Sequence, residues 1–64
     1  MSNSLEITRD TLNDFQKIQE FMLLAKEENA TRTYERLKEE YLFLKALLQT
    51  AGVNLSSIDK INEE

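Results

Sequence analysis

Sixty-four residues with twelve acidic and eight basic side chains, a net charge of −4, a single Gly and no His, Cys, Pro or Trp set the first limits. There is room for one small domain, residues 1–64; no disulfide, thiolate nucleophile or zinc finger is possible without Cys, and the usual base and commonest metal ligand near neutral pH go with His. The acidic balance disfavours nucleic acid, the longest apolar run, Phe21 to Ala25, is five residues long against the ~18 of a membrane span, and Met1-Ser2-Asn3-Ser4 lacks the basic start of a secretory signal, so a cytoplasmic protein without membrane contact is expected.

Leu, Glu, Lys, Gln, Arg and Ala, the good helix formers, dominate from Asp10 to Ala51, and no stretch alternates with period two. The chain is predicted all-α. A first helix runs from about residue 8 to 28, with Thr8 as N-cap and Asp10 in the positive first turn; Ser4 offers an alternative start one turn earlier. Phe15, Ile18, Met22 and Ala25 follow at alternating three- and four-residue steps, and Leu12, Phe21 and Leu23 widen that apolar arc beyond what one partner helix can cover.

A turn is placed at about residues 29–31. Glu27 and Glu28 suit a helix C-terminus poorly and Arg32 suits an N-terminus poorly, which favours one continuous helix. Register argues the other way. Extending the first seam leads to Asn29, Arg32, Arg36 and Glu39, whereas the apolar seam downstream lies two residues out of phase. Asn29 is acceptable at a helix end and Thr31 as a new cap, so a hairpin is expected.

The second helix, about 31–51, carries Tyr34, Leu37, Tyr41, Leu44, Leu48 and Ala51 as an unbroken a/d series, flanked by Phe43 and Leu47. Gly52 is the natural left-handed stop. Asn54 can then cap a short helix over about 55–61, whose Leu55, Ile58 and Ile61 share one face and fold back on the hairpin. Residues 62–64 are expected to fray.

Two long antiparallel helices and a short third one, without disulfide or metal, make a marginal unit. Dimerisation into a four-helix bundle is the simplest completion. The arrangement is similar to that of ROP-like hairpin dimers in architecture, with no residue motif in common.

Carboxylates are the remaining candidates for chemistry, but neighbours such as Glu27-Glu28, Glu39-Glu40 and Glu63-Glu64 diverge by about 100° on a helix. They read as a solvated face, and no catalytic, cofactor or metal site is expected. The stem of Lys45 is expected to line the seam with its ammonium in water, and Tyr34 and Tyr41 to pack their rings with their hydroxyls at the rim. The candidate core or dimer seam is Phe15, Ile18, Met22, Tyr34, Leu37, Tyr41, Leu44 and Leu48. Leu24, Leu42 and Phe43 project away from the seam centres and are the candidate partner-binding residues. These features predict a non-catalytic, homodimeric interaction module, a regulator or adaptor for another, unidentified protein. The alternatives are an assembly subunit or small chaperone in a hetero-bundle and, third, a ROP-like nucleic-acid-binding regulator.

Overall fold

The computed structural model describes residues 4–61. Two helices, α1 (Ser4–Glu27, 24 residues) and α2 (Thr31–Thr50, 20 residues), pack against each other as a hairpin, and there is no strand among the described residues. The expected fraying of 62–64 lies outside them.

The reversal is compact because one residue serves both helices. Asn29 adopts a left-handed φ of 59°, which lets its own N–H bond to the Lys26 carbonyl and the Ala30 N–H to the Ala25 carbonyl. This is the Schellman pattern that satisfies the last carbonyls of a helix. Ala30 is at the same time the N-cap of α2, its carbonyl accepting from the Tyr34 N–H at 2.9 Å. Thr31, the expected cap, is instead the first helical residue, and α2 begins without a side-chain cap. The out-of-phase seams are explained by this turn. The first seam has no reason to continue past Asn29.

The start of α1 is earlier than the Thr8 boundary and coincides with Ser4. Nothing in Leu5 to Ile7 breaks a helix and Glu6 lies in the positive first turn, so the helix propagates outward by a turn. At the other end of the hairpin, Gly52 has a φ of 86° and repeats the Schellman pattern: its N–H bonds to the Gln49 carbonyl and that of Val53 to the Leu48 carbonyl.

Beyond Gly52 the prediction of a helix over 55–61 fails. The Asn54 side chain does cap, accepting from the Ser56 N–H at 3.0 Å, and the Leu55 carbonyl accepts from the Ile58 and Asp59 N–H groups. One turn forms and stops. The next helical bonds would need the Lys60 and Ile61 N–H groups, and both donate instead to the side-chain oxygen of Gln19 on α1. Tertiary hydrogen bonds take the donors that local helix needs.

The core holds Phe15, Ile18, Met22 and Ala25 from α1, Tyr41 and Leu48 from α2, and Leu55 from the tail. Leu12, Tyr34, Leu37, Leu44, Val53, Ile58 and Ile61 are partly buried against it. The tail therefore lies across one face of a two-helix layer, and the molecule is a slab of 42 × 22 × 15 Å.

Candidate functional site

The two faces of the hairpin differ in kind. One is closed by the tail through a polar network. Gln19, 2 % exposed, is a polar residue at a core position, spaced four after Phe15 and three before Met22, on the side of the seam that meets the tail. Its Oε1 accepts from the N–H groups of Lys60 and Ile61 (the latter at 3.1 Å), and its Nε2 donates to the Ile58 carbonyl at 3.0 Å. A primary amide is a peptide group in side-chain form, so it satisfies three backbone groups that the tail would otherwise bury unpaired.

A second anchor, on α2, holds Asp59 between the residues that Gln19 binds. The Tyr41 hydroxyl donates to the Asp59 carboxylate, whose oxygens lie at 2.8 and 2.9 Å. Lys45 Nζ reaches Asp59 Oδ2 at 2.9 Å and the Tyr41 oxygen at 3.4 Å. The Asp59 side chain is only 5 % exposed, a burial that needs both partners. Hydrogen bonding to Asp59 raises the Lys45 pKa above its ordinary value, against the lowering effect of burial. Tyr41 also stacks on Phe15, ring centroids 5.4 Å apart and planes 16° from parallel.

These contacts correct two expectations. Neither the Tyr41 hydroxyl nor the Lys45 ammonium is simply solvated at the rim: Tyr41 is fully buried and Lys45 is held by Asp59. Among the described residues every buried side-chain nitrogen and oxygen has a hydrogen-bond partner, which is how such a network stabilises rather than costs. The same described residues contain no group of three or more carboxylates able to hold a metal ion and no helix long and apolar enough to cross a membrane.

The other face is open. Asp14, Lys17, Ile18 and Phe21 of α1 and Glu40, Phe43 and Leu44 of α2 line one groove between the helices. Phe43 is 64 % exposed and Phe21 54 %, and Leu47 continues the stripe one turn beyond Phe43 and Leu44, itself nearly half exposed. Phe21 and Leu47 read as mere flanks of the seams in the sequence; the hairpin brings Phe21 to the groove that Phe43 lines.

The candidate residues Leu24, Leu42 and Phe43 are all substantially exposed, yet they do not converge. Phe43 joins Phe21 in the open groove. Leu24 sits with Leu23 in a shallow depression lined by Glu20, Lys26 and Glu27. Leu42 lies about 100° around α2 from Phe43, toward the tail side. Of the seam, Phe15, Ile18, Met22, Tyr41 and Leu48 are buried, while Tyr34, Leu37 and Leu44 are half-buried. No family model, curated protein or solved structure matches this chain.

Proposed function

We propose that this chain is a non-catalytic helical interaction module that works as a homodimer, completing a four-helix bundle, and serves as a regulator or adaptor for another protein. The observation that carries the reading is the asymmetry of the hairpin. Its buried polar groups are committed to holding the tail, and its large exposed apolar side chains include Phe21 and Phe43, which line one groove on the face the tail leaves uncovered, with Leu47 one turn beyond Phe43. A contiguous apolar patch on a small domain marks a contact surface. A domain of this size without disulfide or metal also gains its missing stability most directly by association. Leu23 and Leu24 form a separate apolar spot that remains for a further protein partner.

Self-association links stability to concentration. The melting temperature, followed by circular dichroism from 2 to 200 µM, is expected to rise with protein concentration. A cooperative transition that stays at one temperature over that range, with monomer mass in sedimentation, would refute the homodimer.

A further inference from the structure

Taking self-association as proposed above, we infer where and in what register it occurs: a second copy of this chain docks on the Phe21–Phe43 face, with α1 of each copy lying antiparallel on α2 of the other.

Four features of the structure support this occupant. The tail already covers one broad face through Gln19 and the Tyr41–Asp59–Lys45 cluster, and among the described residues the other broad face is left open for stacking hairpin on hairpin. The two helices contribute matched stripes to that face. Asp14, Lys17, Ile18 and Phe21 stand at i, i+3, i+4 and i+7 on α1, and Glu40, Phe43, Leu44 and Leu47 stand at the same spacing on α2, all but Leu47 lining the one groove. Such a surface is suited to pairing with itself about a twofold axis. Exposure agrees: Phe43 is 64 % and Phe21 54 % exposed in the single hairpin, apolar surface that a second copy would cover.

The Lys17–Glu40 levels agree with the register that such an axis fixes. Phe15 stacks on Tyr41, which fixes the two helices axially. Lys17 lies about 3 Å from Phe15 toward the turn and Glu40 about 1.5 Å from Tyr41 in the same direction, so the two are nearly level on opposite helices. A twofold axis parallel to the helices places α1 over α2 of the other copy and sets Lys17 of one copy opposite Glu40 of the other, twice per dimer. Every helix neighbour in the resulting bundle is antiparallel, the favourable dipole arrangement. Glu40 is also held by Arg36 of its own helix at 3.3 Å, so the pairing joins a short alternating run of charge along the interface rim.

The test compares dimer dissociation constants by sedimentation equilibrium for the wild type, Phe43→Glu, Lys17→Glu and the double variant Lys17→Glu/Glu40→Lys, with helicity checked for each. Phe43 is largely solvent-exposed in the hairpin, so Phe43→Glu keeps its helicity while the dimer weakens by about 100-fold or more. Lys17→Glu weakens the dimer about tenfold and the double variant returns to within about threefold of wild type. A folded Phe43→Glu that dimerises as tightly as wild type overturns this face while leaving self-association intact. Failure of the double variant to recover overturns the register. A wild-type chain that is monomeric throughout refutes self-association itself, leaving the face to a different protein and this inference without its premise.

Discussion

Replacing Gln19 with Leu removes the carboxamide while keeping an apolar side chain of similar size in the core. Three hydrogen bonds to the tail backbone disappear, those from the Lys60 and Ile61 N–H groups and that to the Ile58 carbonyl. At about 1 kcal/mol net for each, the loss is near 3 kcal/mol if the tail lifts and rehydrates. If it stays down, the same three groups are left without partners at about 1–3 kcal/mol each, which is no smaller than that loss. Lifting would add the re-exposure of Leu55, Ile58 and Ile61, so the loss is at least about 3 kcal/mol by either route. Urea unfolding of the variant should show that loss, and the Lys60 and Ile61 amides should exchange with solvent far faster than those of the helix centres. Gln19→Glu supplies an internal control. A protonated carboxylic acid offers a carbonyl acceptor for both N–H groups and an O–H donor for Ile58, whereas the ionised form aims a buried charge at the Ile58 carbonyl. Its deficit relative to wild type should therefore shrink at acid pH. A Gln19→Leu variant as stable as wild type, with tail amides still protected, would refute the assignment of Gln19 as the clamp.

Four further outcomes follow from the same geometry. Gly52→Ala is expected to cost about 1–2 kcal/mol in urea melts although its Cβ would meet nothing within 4 Å, because the whole cost is the left-handed backbone at φ 86°; Asn29→Gly, at φ 59°, should instead gain a few tenths. The Lys45 pKa is raised from 10.5 by Asp59, so its contribution to stability is complete below about pH 10.5 and declines as pH climbs through the higher folded value; a melting series from pH 9 to 11.5 should show an alkaline loss that Lys45→Met lacks. Leu42→Ala, at an exposed position outside the Phe21–Phe43 groove, should leave the dimer constant and melting temperature nearly unchanged in sedimentation and dichroism.

The helices were legible because their cues are local. Absence of Pro, a single Gly placed at residue 52, and seams that change phase after Asn29 are enough to give two helices and a reversal, and the Schellman turns at Asn29 and Gly52 are the physical form of those cues. What was not legible was set by contacts far apart in sequence. Asn54 is a sound cap and the helix after it fails only because Gln19, about 40 residues away, captures its next donors. Gln19 left one trace, a polar residue spaced within the apolar arc of Phe15 and Met22. Asp59 left none, since an acidic residue between Ile58 and Lys60 looks solvated until Tyr41 and Lys45 are placed beside it. Distance from the seam centres sets Leu24, Leu42 and Phe43 together, but that measure ignores which side of the hairpin each one faces, and of the three Phe43 alone lines the groove with Phe21.

The central claim is that the tail closes one face and a second copy closes the other. A soluble paramagnetic probe reads it directly, as the attenuation of side-chain NMR signals in dilute and concentrated samples. Between these samples the Phe21 and Phe43 rings and the Leu47 methyl groups should become protected, Leu24 and Leu42 should stay accessible, and Leu55 should be protected in both. Protection that develops at Leu42 while Phe43 remains fully attenuated would contradict the account.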